Sequence, residues 1–346
     1  MPETPLFRQP QTLAGFAARA AIALGFFALV FLAWQVRHAV ALFFAAIVAA
    51  VIIDALAGPL TRRTPLPRSV TVPLVLVVLF GGLGLVLTWA APSLKTQLDA
   101  VSNAFPMALD QLESWLSDNL AGVSDQVTTI VSHVAQYTTL AVSGVTGFIL
   151  VVITGAFLAL APRTYARGFV RLFPVHRRAP LEAALDNAGR GLKGWLRGKV
   201  LSMSIVAVAT GLGTWWVGLP APLLLGLIAG LAEFVPIIGA ILAAVPALVL
   251  AVSQDMQTVW WTIGVYLVVQ QLESNVILPL IHERVAHLPP AILMFAFAAM
   301  GAVFGPVGIV IAAPLSLTLY LLVLDLWVRP MEDGAEAGAQ SGPDTG

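Results

Sequence analysis

Runs of about twenty apolar residues recur along almost the whole chain, and nothing else constrains its fold as strongly. They fall at about 15–34, 38–57, 70–91, 141–162, 199–218, 221–252, 258–281 and 291–328. A bilayer core needs about 20 apolar residues for one helical crossing. The runs are continuously apolar and lack the alternation of an outer-membrane strand, so sheet is not expected despite abundant Val, Ile and Phe. The expected fold class is all-α, a polytopic membrane protein of about eight transmembrane helices. Composition agrees: apolar residues are 59% and charged residues only 10% of 346. So few charges could not cover a water-facing surface, for which about 25% is usual. Residues 15–34 are read as a retained span rather than a removable signal, because the run is long and another span follows at once.

Basic residues set the expected orientation. With the N-terminus inside, fifteen of the eighteen Lys and Arg lie on the cytoplasmic side; Arg37, Lys95 and Arg284 do not. Both termini are therefore expected in the cytoplasm. The chain divides into a cytoplasmic N-terminus (1–14), three spans (15–91), an extracytoplasmic segment (92–140) and a fourth span (141–162). A basic cytoplasmic linker (163–198), a C-terminal transport core (199–328) and a disordered cytoplasmic tail (329–346) follow. Residues 92–140 carry five acidic side chains against Lys95. Their apolar residues recur at helical spacing, predicting amphipathic helices broken near Pro106. Residues 163–199 hold nine basic side chains against Glu182 and Asp186. Arg163, Arg167 and Arg171 share one helix face, placed to meet anionic lipid headgroups.

Two long apolar segments of the C-terminal half are interrupted. One reads Glu233-Phe234-Val235-Pro236-Ile237-Ile238-Gly239 and continues to Pro246; the other reads Phe304-Gly305-Pro306-Val307-Gly308 and continues to Pro314. Phe234 and Phe304 are 70 positions apart, as are Pro236 and Pro306, which makes a weak internal repeat. Pro removes a donor and Gly loosens the helix, leaving backbone groups that only protein or a wet cavity can receive inside a membrane. Paired interruptions of this kind point to a transport site. The segments 221–252 and 291–314 could span the membrane or turn back as re-entrant hairpins.

Polar groups collect in the same half. Glu233 precedes the first break, and a later span ends Gln270-Gln271-Leu272-Glu273-Ser274-Asn275 before Pro279. A carboxylate at membrane depth costs about 2.5–3.5 kcal/mol on insertion scales and is a functional candidate for that reason. The expected solute or ion pathway comprises Glu233, Gln270, Gln271, Glu273 and Asn275, with the breaks at Pro236, Gly239, Pro279, Gly305, Pro306 and Gly308 lining it. Neither glutamate has Lys or Arg in its own span, so each is expected to be protonated, ion-bound or hydrated. Glu273, with four polar neighbours, is the stronger candidate for the centre. Asp54 and Asp325 lie near cytoplasmic span ends and read as interfacial.

These blocks resemble the autoinducer-2 exporter family, the PerM-like permeases of bacteria. The resemblance rests on Glu233 through Gly239, on Gln270 through Pro279, and on His287-Leu288-Pro289 followed by Gly301, Gly305, Gly308, Ala313 and Pro314. Ser274 stands where the family usually has Gly, and Ala240 where Pro often follows. The resemblance implies an eight-span, homo-oligomeric transporter of the bacterial cytoplasmic membrane. It also implies export of autoinducer-2 or exchange of sodium or lithium for protons.

Other motifs carry less. His282 and His287 are five apart, about 140° around a helix, and cannot share a zinc ion as four-spaced histidines do. Ser143 has no membrane-embedded histidine to act as its base. The sequence has no cysteine and no phosphate-binding loop, so thiol chemistry and ATP coupling within this chain are set aside. No catalytic residue, metal site, cofactor or nucleic-acid partner is expected. The expected partners are the lipid bilayer, further copies of the chain, and a small polar solute or a monovalent cation or proton. A non-transporting scaffold is the alternative, disfavoured by polar chemistry inside the spans.

Overall fold

A computed structural model describes residues 13–119, 147–277 and 289–332, and every regular element among them is helical. The helices are α1 (Leu13–Arg63), α2 (Arg68–Asn119), α3 (Gly147–Leu160), α4 (Pro162–Val170) and α5 (Val175–Val217). They continue with α6 (Pro222–Ala232), α7 (Ile238–Val252), α8 (Met256–Leu272) and α9 (Pro290–Val323). Short π-helical turns, Glu273–Ile277 and Leu324–Val328, extend α8 and α9. Among the described residues, three stretches are long and apolar enough to cross a membrane: Ala20–Arg63, Val175–Val217 and Ala291–Glu332. The pair α3–α4, bent by 86°, would make a fourth.

Two expected helix breaks are absent, and one helix runs on from the basic linker into the next span. The runs 15–34 and 38–57 form one unbroken helix, because Gln35, Val36, Arg37 and His38 include no Pro or Gly to end it. Arg37 lies over the Trp34 ring, 3.7 Å from its centroid, which accommodates the charge on a helix surface. Helix α2 runs through position 106 without the expected break, since proline has a helix-compatible φ and removes only one donor. Helix α5 joins most of the basic linker to the following span as one continuous element.

The faces of α5 explain the packing. Leu181, Ala184, Ala188, Leu192, Leu196, Lys199, Ser202, Val206, Thr210 and Thr214 are buried, at spacings of three and four. That periodicity is one stripe along a helix, and neighbouring helices close over it. Val206, Ala229, Ala243 and Val269, one each from α5, α6, α7 and α8, form a single buried cluster. Helix α2 reaches this core from the side: Val101 and Ala104 pack against the cluster containing Leu225 and Leu250. Gln97 of α2 accepts a hydrogen bond from the Leu224 amide at 2.9 Å, satisfying a donor in the first turn of α6.

A second polar tie holds the first three helices to α5. Asp54 of α1 pairs with Arg68 of α2 at 2.6 Å and with Lys193 of α5. Arg68 also donates to the Ala159 carbonyl of α3 at 3.3 Å. Asp325 receives Asn187 at 2.7 Å and is paired with Arg329.

Candidate functional site: a buried cluster beside two broken helices

Both predicted interruptions are real, and both reverse the chain. At the first, the Ile238 amide donates to the Pro236 carbonyl at 2.7 Å across Ile237, whose φ is 67° and ψ −59°. This is the positive-φ form of the γ-turn, rare because it is strained, and here it carries a β-branched residue. Ile237 is the one non-glycine residue with positive φ among the described residues. The turn brings Gly239 so close to the end of α6 that a Cβ would lie 1.8 Å from the Ala232 carbonyl oxygen.

At the second, Gly305 adopts φ 67° and ψ −149° inside α9, a region open almost only to glycine. A Cβ on Gly308 would sit 2.0 Å from the Met300 carbonyl oxygen, and one on Gly301 would sit 3.1 Å from the Ile309 side chain. Residues eight apart would be about 12 Å apart along a straight helix. The two arms of α9 therefore fold back on each other. The breaks share a plan: a positive-φ residue beside a proline, then a glycine pressed on the carbonyl of the preceding arm. They also meet, since Val235 and Ile238 pack with Trp195 against the cluster of Phe297, Ala312 and Ala313.

The charged groups lie at the first break. Glu233, at the C-terminal end of α6, is 1% exposed. Its carboxylate pairs with the ammonium of Lys199 on α5, which is also buried. Glu273, where α8 passes into its π turn, is buried and receives a hydrogen bond from Gln270 at 3.3 Å. Its side chain and that of Glu233 line the same small cavity. The cavity, of about 20 Å³, is lined also by Thr210, Ala240, Tyr266 and Gln270. That is room for roughly one water molecule. The Thr210 hydroxyl is buried without a hydrogen-bond partner among the described residues, as is that of Ser202 about two turns earlier on the same stripe of α5. Tyr266 is already engaged, donating to the Ala243 carbonyl at 3.0 Å. On the far side, Trp195 packs edge-on to Phe234 with centroids 6.0 Å apart.

The expected pathway residues separate into two groups. Glu233, Gln270 and Glu273 come together, with Pro236 and Gly239 at the adjoining turn. Gln271 and Asn275 do not join them: they are exposed and bond to each other, Asn275 Nδ2 to Gln271 Oε1 at 2.7 Å. Gly305, Pro306 and Gly308 form the second turn, and Pro279 lies outside the described residues. Lys199 was not among the candidates because it falls at the edge of the basic linker. Its register on the buried stripe of α5 was the signal available.

Residues 21–327 match the profile described as AI-2E family transporter. The chain belongs to the AI-2E family. It is 27% identical over 277 residues to YrrI of Bacillus subtilis, which bears the name of a transport protein, covering 75% of this chain and 78% of that one. A Mycobacterium tuberculosis protein of similar name, MT0215, is 27% identical over 72% of each chain. PerM of Escherichia coli, named as a permease, is 30% identical over 135 residues, 38% of each chain. Membership makes this a membrane transporter of the permease type, and its apolar helices fit a multi-pass protein.

Proposed function

We propose that the chain is a secondary transporter of the bacterial cytoplasmic membrane that exchanges a small monovalent cation for protons at the cluster of Lys199, Glu233 and Glu273. The observation that carries this reading is that two buried carboxyl groups line one small cavity with a single buried lysine, paired to Glu233, beside them. Two ionised carboxylates buried on one cavity repel, so the pair is stable with a proton or a cation shared between them. Exchange of one for the other is the chemistry such a pair favours. The adjoining space of about 20 Å³ suits a water molecule or a bare ion better than a signal molecule of autoinducer size. The two turned-back segments supply freed backbone carbonyls, which in transporters coordinate cations beside broken helices.

In this proposal the short arms α6–α7 and the two arms of α9 are re-entrant or paired half-spans, giving the family's eight-span layout with both termini cytoplasmic. The protein works as a homo-oligomer. Orientation is tested by single cysteines introduced at Ser117 and Ala179 and probed with an impermeant thiol reagent in intact cells, where only the Ser117 site should react.

The deciding experiment measures flux in proteoliposomes loaded in turn with sodium, lithium, potassium and autoinducer-2, with a pH-sensitive dye reporting protons. Cation-dependent proton movement, lost in Glu273→Gln, is the expected result. Autoinducer-2 flux without proton movement would replace the exchange reading with signal export. No flux of any kind would favour the scaffold.

A further inference from the structure

We propose that the elbow formed by α3 and α4 is a docking surface for anionic phospholipid, with the aromatic side of α4 set into the headgroup boundary and its arginines on lipid phosphates. The reading does not depend on what the protein transports. Helix α3 is apolar and outward-facing, with Phe148, Ile153 and Phe157 all at least half exposed. At Ala161 (φ −138°, ψ 55°) and Pro162 the chain turns by 86° into α4. In this proposal α3 alone enters the bilayer, and α4, turned at right angles to it, runs along the membrane plane.

The side chains of α4 divide to match. At about 100° per residue, Arg163, Arg167 and Arg171 cover roughly 80° of one face, and Tyr165 and Phe169 lie on the opposite side. Tyr165, Phe169, Leu172 and Val175 are exposed, Leu172 at 80%. Phe169 and Phe173 pack edge to face at 5.3 Å, making one aromatic ridge. Buried Val170 anchors the helix from below. Arg178 has an internal task, donating to the Phe173 carbonyl at 3.0 Å and the Arg171 carbonyl at 3.2 Å, which closes the turn after α4. Arg163, Arg167, Arg171 and Arg177 are exposed and make no ion pair among the described residues.

An apolar ridge opposite a row of unpaired guanidinium groups is the pattern of a helix lying in a membrane interface. The charge selects the occupant: phosphodiester headgroups of net negative charge, each basic residue near such a surface adding attraction that decays within a Debye length. Zwitterionic lipid would satisfy the ridge but not the row.

The absence of cysteine makes the test direct. A bimane fluorophore is placed on Phe169→Cys in the full chain, reconstituted in phosphatidylcholine vesicles containing phosphatidylglycerol. Brominated lipid quenches the probe when its chains are adjacent. Brominated phosphatidylglycerol should quench about twofold more than brominated phosphatidylcholine at equal mole fraction. The triple variant Arg163→Gln, Arg167→Gln, Arg171→Gln should lose the preference while still being quenched by phosphatidylcholine. Equal quenching by both lipids in the parent chain would overturn the proposal, as would no quenching by either. Loss of the preference on adding glycerol phosphate would assign the arginines to a soluble phosphate instead. The parent measurement stands alone if the triple variant does not reconstitute.

Discussion

The ammonium of Lys199 on α5 and the carboxylate of Glu233 at the end of α6 form an ion pair in which both side chains are almost wholly buried, at 8% and 2% exposure. Removing one partner from such a pair strands the other charge and costs about 3–5 kcal/mol. Lys199→Met should reach that range, because the buried carboxyl groups on this cavity then have no cation. Glu233→Gln should be milder, since Glu273 can still serve the ammonium. The double variant should be less destabilised than the sum of the two by about 1–3 kcal/mol. Thermal unfolding of the detergent-purified protein measures all three, and strict additivity would mean the pair contributes no coupling.

The two turns should be equally intolerant of a methyl group. Gly239→Ala and Gly308→Ala each drive a Cβ into a backbone carbonyl, at 1.8 and 2.0 Å, which no side-chain rotation relieves. Each should lower stability by at least about 1–3 kcal/mol, the usual cost of overpacking. Gly264→Ala, with nothing within 4 Å, serves as the control. It should be neutral or stabilising by up to about 1 kcal/mol on helix propensity. A Gly308→Ala protein as stable as its parent would remove the second hairpin from the account.

Asp255 begins α8, accepting from the Thr258 amide at 2.8 Å and from its hydroxyl at 3.1 Å. The backbone N–H of Thr258 holds this carboxyl below the ordinary carboxylate value of 3.8. A group depressed on folding contributes stability that is present above its unfolded value and lost as pH falls through the folded one. Asp255→Ala should therefore unfold earlier than the parent at neutral pH, with the gap closing as the pH is taken below about 3.8. Asp255→Ser should keep the cap but lose its pH dependence. Melting curves of the three proteins across that range provide the check.

Long apolar runs made the helical class readable, and the matched Phe-x-Pro and Phe-Gly-Pro segments made both interruptions readable, though not their direction, because helix-breaking residues act locally. What joined distant segments was harder. The polar stripe of Gln270 and Glu273 and that of Gln271 and Asn275 look equivalent along the sequence, yet burial selects only the first. That choice is made by α5 and α7, which pack against α8. Lys199 was hidden for the opposite reason. Charge counting assigns a lysine beside a basic linker to the interface, whereas its heptad-like register with Leu192, Leu196, Val206 and Thr210 turns it inward. The absent break between 34 and 38 shows that charge alone does not end a helix.

The γ-turn at Ile237 acts as a loaded spring beside the ion pair. A β-branched residue held at φ 67° stores on the order of 1–3 kcal/mol. That strain sits four residues past Glu233, in the turn that presses Gly239 onto the Ala232 carbonyl. The Lys199–Glu233 pair ties the end of α6, from which the turn departs, to α5. Replacing Ile237 with glycine unloads the spring without touching that ion pair. Ile237→Gly should accordingly melt higher than the parent, and a variant that melted no higher would show the strain to be idle.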